Sequence, residues 1–146
     1  MWTSKTSQET RAGADALFEI FRDVSSWKDW NPGVERMELH GPFATGTTTT
    51  MWMPGEEEPL DARLIWVEAP RGFEDETEVP GAGVVVRVRH GLEPLPGGGT
   101  RVTFSTSIDG PEADKAGEEI GPMVTADFPQ VIAALIARAE AMEGRR

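Results

Sequence analysis

The sequence predicts an α+β fold: a curved, seven-stranded antiparallel sheet wrapped around one long C-terminal helix, with two short helices between the first and second strands. Three observations lead there. Residues 34–108 alternate with period two and are broken only by turn chemistry. Apolar positions in 14–24 and again in 124–139 recur at helical spacing. The links between the strand runs are too short for helical crossovers, so neighbouring runs must pair antiparallel.

Taken in order, residues 2–11 mix Trp2, Thr3, Thr6, Ser7 and Thr10 with charges and read as an amphipathic strand. Gly13-Ala14-Asp15 opens a helix with Leu17, Phe18, Ile20, Phe21 and Val24 on one face and Glu19, Arg22 and Asp23 on the other. Ser25-Ser26 is placed to cap a short second helix through Trp27-Lys28-Asp29-Trp30, which Asn31-Pro32-Gly33 stops. Strand runs follow at 34–39, 45–53, 60–68, 72–79, 84–95 and 101–108. Their separators are Gly41-Pro42, Pro54-Gly55, Pro70-Arg71-Gly72, Pro80-Gly81-Ala82-Gly83 and Pro96-Gly97-Gly98-Gly99. Glu56-Glu57-Glu58 reads as a solvated loop tip.

Asp109-Gly110-Pro111 ends the sheet, and a polar stretch leads to Ile120-Gly121-Pro122. The long helix runs from there to about Met142 with a stripe of Val124, Phe128, Val131, Ile132, Leu135, Ile136 and Ala139. Pro129 falls inside it and is expected to kink it along the curved sheet. A chain of 146 residues suits one domain, 1–146, with one core. A strongly curved sheet cannot close flush on one helix about 10 Å wide, so a cavity is expected beneath it.

Lys plus Arg is 14 and Asp plus Glu is 25, a net charge of -11. That surface repels phosphate backbones and anionic headgroups, so neither nucleic acid nor a membrane surface is an expected partner. The absence of cysteine excludes disulfides, thiolate metal sites and cysteine nucleophiles. No run approaches the ~20 apolar residues of a membrane span and no signal peptide is visible, which gives a cytoplasmic expectation. His40 and His90 are not at metal-ligand spacing, Gly97-Gly98-Gly99 is a hairpin tip, and no nucleophile elbow is present. No metal or cofactor is expected. The expected partner is a small hydrophobic molecule, bound by a monomer or homodimer.

Alternation assigns the faces. Val84, Val86, Val88, His90 and Leu92 share one side of their strand, with Arg87 and Arg89 on the other. Glu74, Glu76 and Glu78 must be solvated, so Phe73, Asp75, Thr77 and Val79 look inward. If Val79 faces Val84 across the turn, Phe73 faces His90 and Asp75 faces Val88. Asp75 and His90 are then diagonal neighbours, roughly 7–8 Å apart at the backbone. An inward carboxylate beside an inward imidazole could fix its tautomer and raise its basicity, making Asp75 and His90 the candidate catalytic pair. The leading reading of the pair is nonetheless a buried polar pair that satisfies itself and orients one end of a ligand, followed by ligand contact without chemistry.

Phe104 and Thr106 point inward on the last strand. Leu60, Ala62, Leu64 and Trp66 share a face by alternation, as do Thr47, Thr49, Met51 and Met53. The two methionines suit either a pliable pocket or ordinary core filling. Val124, Phe128 and Ile132 supply the lid, and Asp127 beside them complements a helix start.

Several segments resemble the START-like, or SRPBCC, superfamily of helix-grip proteins, in its polyketide cyclase/dehydratase-like branch. Phe18-x-x-Phe21-x-Asp23-x-x-x-Trp27-x-x-Trp30-Asn31-Pro32-Gly33 is similar to its helix–helix–strand opening. Gly46 before 47–53, and Leu92-Glu93-Pro94 through Gly98-Gly99-Thr100-Arg101-Val102-Thr103, are similar to its sheet; Asp127-Phe128-Pro129 with Leu135 and Ala139-Glu140 is similar to its closing helix. The resemblance implies a helix-grip fold with an internal cavity for a lipid, polyketide or aromatic ligand, entered near Trp27 and Trp30. Structural support is the other reading of those two residues. The expected cavity, its apolar lining and its few inward polar groups make carriage of such a ligand the leading function, with aromatase/cyclase chemistry on a poly-β-ketone the alternative. The chain has no tyrosine, and Arg63, Arg87 and Arg89 are expected outward, so a carbonyl-polarising cation or phenol is missing from the inner face.

Overall fold

A computed structural model describes residues 1–144. The elements are β1 (Trp2–Thr10), α1 (Ala14–Arg22), a 3-10 turn (Val24–Ser26), α2 (Trp27–Trp30), β2 (Arg36–Leu39), β3 (Thr48–Trp52), β4 (Leu60–Glu68), β5 (Gly72–Val79), β6 (Val84–Pro94), β7 (Thr100–Asp109), α3 (Ala113–Thr125) and α4 (Phe128–Glu143). The strands form one antiparallel sheet in the order β1-β7-β6-β5-β4-β3-β2. Consecutive strands are neighbours from β2 to β7, as short turns require, and β1 closes on β7 from Trp2 opposite Ile108 to Thr10 opposite Thr100. The fold class and all seven strands agree with expectation.

The register of β5 against β6 is the one the turn chemistry implied: Val79 opposite Val84, Asp75 opposite Val88, Phe73 opposite His90. Arg87 lies outside, bonded to Glu76 at 2.8 Å and Asp109 at 3.1 Å; Arg89 bonds Glu74 at 2.6 Å. Two apolar clusters fill the inner side. One joins α1, α2 and α4 to Leu64, Phe73, Leu92, Val102 and Phe104. The other sets α3 residues Ala113, Ala116, Ile120 and Val124 on Val84, Val86, Val88 and Ile108. Phe128 touches both.

Three local expectations are corrected. Ser26 does not cap α2, because its hydroxyl donates to the Asp23 carbonyl at 2.7 Å, while the Ser25 hydroxyl donates to the Asp23 carboxylate. The closing helix is two helices that break at Ala126-Asp127. Pro129 therefore sits in the first turn of α4, where a missing N–H costs nothing, and does not kink a helix interior. The stretch before Ile120 is already helix, even though α3 contains Gly117, Gly121 and Pro122.

What holds α3 is Trp2. A Cβ on Gly121 would lie 2.5 Å from its indole ring and one on Gly117 2.6 Å from its Cβ, so the two glycines form the notch into which the indole fits. Tertiary contact thus overrides weak helix propensity. By length and composition Ala113–Glu143 passes as a membrane span, with a mean hydropathy of 1.5 over 18 residues, against the expectation that no run came close. It is the core helical segment of this fold, and its apolar side chains enter both clusters.

Candidate ligand-binding site

Strand pairing arranges the inner face in rows. Phe104, His90, Phe73 and Val67 lie across one row; Thr106, Val88, Asp75 and Leu64 across the next; Ile108, Val86 and Thr77 across a third. On the far strands Leu39, Thr49 and Ala62 align, then Met37, Met51 and Leu60.

The helices cover this face unevenly. α3 lies against β1, β6 and β7, α4 against β1, and α1 against β6, whereas the inner sides of β3, β4 and β5 carry few helix contacts of comparable closeness. The burial pattern follows. Val86, Val88 and Thr106 are buried, while Met51, Leu60, Ala62, Asp75, Thr77 and Val79 are half-buried although they point inward. On the helices Ile120, Val124 and Phe128 are half-buried too, and with Val79 they pack against the second cluster. This unevenly covered part of the inner face is the candidate site.

Leu64, Phe73, Leu92, Phe104 and Ile132 are at most 5% exposed and belong to the core that backs the site. Met51 packs on that core, and Met53 lies one residue past the end of β3, where alternation no longer sets its direction. Trp66 is a correction. Register slips between Leu64 and Trp66, so Leu64 opposes Asp75 but Trp66 opposes the outward Glu74. A bulge at Ile65 turns Trp66 to the outer face, where the Arg89 guanidinium lies 4.3 Å from its ring centroid. The outer face carries two shallow grooves, of about 520 and 510 Å³, that share Lys5, Arg89 and Ser105.

His90 sits in an aromatic box. Its ring stacks on Phe73 at 4.0 Å and 9°, meets Phe104 edge-on at 4.5 Å, and has Phe21 of α1 at 6.0 Å. Phe21 is a site neighbour that sequence reasoning missed: its place on the apolar face of α1 was visible, but not which strand that face covers. Desolvation pushes the imidazole down from 6.5 to about 3, so it is neutral at physiological pH. Asp75 goes the other way. Burial first, and the charge of Glu74 second, raise its carboxyl from 3.8 to about 7.

Neither residue bonds the other. Among the described residues no side-chain hydrogen bond joins Asp75 to His90, and neither appears among the causes of the other's shift. The expectation that Asp75 would raise the basicity of His90 is therefore corrected: burial dominates both groups, and Asp75 is the one poised near neutrality. Among the described residues three buried polar atoms lack partners, namely Trp30 Nε1, His90 Nδ1 and Thr106 Oγ1. Buried polar groups without partners are uncommon, and each is a place where a ligand or water would be stabilised. Trp27, by contrast, is satisfied by donating to the Phe21 carbonyl at 3.0 Å. No cluster of metal-ligating side chains occurs among the described residues.

A curved sheet that grips its C-terminal helices and leaves part of its inner face uncovered defines a START-like, helix-grip protein. The chain belongs to the family described as "Polyketide cyclase / dehydrase and lipid transport", which matches residues 1–140. Its backbone is similar to the di-domain ARO/CYC StfQ of the steffimycin biosynthetic pathway, with a TM-score of 0.79 at 11% identity over 97% of this chain. The chain spans about half of StfQ, 51% of its length. It is similar to the ZhuI aromatase/cyclase from Streptomyces sp. R1128, with a TM-score of 0.76 at 16% identity over 94% of this chain and 93% of that one. It is also similar to norcoclaurine synthase from Thalictrum flavum, with a TM-score of 0.72 at 18% identity over 92% and 84%. At these identities the likeness is one of fold. No curated protein sequence matches the chain.

Proposed function

We propose that this protein binds or carries a small, mostly hydrophobic molecule (a lipid, polyketide or aromatic compound) between the inner faces of β3–β5 and helices α3 and α4. The observation that carries the reading is the half-buried inward surface of Leu60, Ala62, Thr77 and Val79, beside the buried Leu64, Phe73, Val86, Val88 and Thr106 on the same face. Family membership supports it at the level of ligand binding or cyclase chemistry. The reading takes the protein as a cytoplasmic monomer or homodimer, with no nucleic acid, membrane insertion or cofactor.

Filling the space tests it. Ala62→Trp places an indole where the ligand would lie, and is expected to weaken binding of 2-naphthol by about ten-fold or more in titration calorimetry, with the circular dichroism spectrum unchanged. Undiminished naphthol affinity in that variant would place the site elsewhere.

A second reading, an aromatase/cyclase-dehydratase-like enzyme, is favoured by one observation: Asp75 titrates near pH 7 in an inward position. A carboxyl balanced between its two forms suits proton transfer to or from a bound polyketone. Under this reading Asp75→Asn abolishes turnover of a poly-β-ketone while ligand still binds; a carrier shows no turnover in either form.

A further inference from the structure

We infer that the pocket selects uncharged, oxygen-bearing ligands and turns anions away, and that Asp75 is the residue that sets this preference. The inference deepens the binding function proposed above and rests on it.

The inner face offers no cation. Among the described residues every strand lysine and arginine lies on the outer face or points to solvent: Lys5 on β1, Arg36 on β2, Arg63 on β4, Arg87 and Arg89 on β6, Arg101 on β7. Two of them, Arg87 and Arg89, are already bonded on the sheet's outer side to Glu76, Asp109 and Glu74. A carboxylate or phosphate drawn onto the inner face would lose its hydration and gain no opposite charge, which is the costly arrangement for a buried ion.

Asp75 makes the penalty specific. Leu64 on β4 and Val88 on β6 flank it, Thr106 lies beyond Val88, Thr77 is two residues along the same strand, and His90 and Val86 are its diagonal neighbours on β6. None of these carries a compensating positive charge, since the imidazole of His90 is held neutral by burial. A second negative charge in this space therefore meets repulsion at close range in a poorly solvated setting.

The unpaired polar atoms say what is welcome instead. On the inner face near Asp75, the Thr106 hydroxyl can donate or accept, and neutral His90 offers a donor or an acceptor at Nδ1. A ligand with carbonyl, hydroxyl or ether oxygens on an apolar frame supplies acceptors to these donors without bringing charge. Long-chain carboxylates and phospholipid headgroups do not fit this description.

Two probes with the same rings and different charge test it: 2-naphthol and 2-naphthoate, titrated calorimetrically into the whole protein at pH 8, where Asp75 is largely ionised. The naphthol is expected to bind at least about ten-fold more tightly. In Asp75→Asn, an isosteric change, the gap is expected to shrink to about three-fold or less because the naphthoate gains. Glu78→Gln removes the same charge from the exposed outer face and is expected to leave the gap unchanged. Equal binding of the two probes, a gap that persists in Asp75→Asn, or one that closes equally in Glu78→Gln overturns the inference while leaving the binding function standing. Failure of both probes to bind overturns the binding function itself.

Discussion

Asparagine at position 75 is expected to raise stability above pH 7 by up to about 4 kcal/mol, and to leave it nearly unchanged near pH 4. The Asp75 carboxyl moves from 3.8 to about 7 on folding, roughly three units at 1.36 kcal/mol each. Between those two values the folded protein holds a proton that the unfolded chain has released. The folded state therefore loses stability as pH rises from about 4 to about 7, and the asparagine variant avoids that loss. Some water reaches the half-buried side chain, which makes the figure an upper bound. His90 contributes the opposite slope. Its folded value is about 3 against 6.5, so stability rises with pH between those values, as the unfolded chain releases a proton the native protein never took up. In the native protein the two slopes oppose each other from about pH 4 to 6.5; in Asp75→Asn only the His90 slope remains. Urea unfolding of both proteins across pH 4–8 measures this. A stability difference that is the same at both ends would mean that Asp75 is not held out of water.

Phe73→Ala is expected to cost about 3–5 kcal/mol, enough to threaten folding of a marginally stable domain. Phe73 is 1% exposed, and its ring lies 4.0 Å from His90, 5.0 Å from Phe21, 5.3 Å from Phe43 and 5.6 Å from Trp27. It is the point where α1, α2, the segment before β3 and the sheet meet, so the cavity it leaves has rigid walls on every side. The same change lets water reach the His90 ring, and its pKa is expected to climb towards 6.5. Chemical denaturation gives the first quantity and an NMR titration of the imidazole the second. A loss under about 1 kcal/mol would show that the box re-closes around alanine.

How much of this was legible in the sequence depended on how firmly each segment fixed its own phase. In β5 and β6 the glutamates at 74, 76 and 78 and the arginines at 87 and 89 cannot be buried, so both faces and the register followed. In β4 the run Leu64-Ile65-Trp66-Val67 is apolar throughout and says nothing about phase. The bulge there is set by pairing with β5, and it sent Trp66 outward against the alternation. The start of α3 was hidden for a different reason: Gly117, Gly121 and Pro122 argue against helix, and the compensation comes from Trp2, over a hundred residues away. Asp75 and His90 were rightly placed as inward neighbours. Their interaction was not legible, because proximity across a sheet does not fix side-chain bonding, and burial outweighed any charge pairing between them.

The central claim is that the inner faces of β3–β5 under α3 and α4 hold the ligand, while the outer-face grooves do not. NMR shift mapping during titration with 2-naphthol asks this directly. Changes are expected to concentrate at Leu60, Ala62, Thr77, Val79, Val124 and Phe128. Changes centred instead on Lys5, Trp66, Arg89 and Ser105, the residues of the outer grooves, would contradict it.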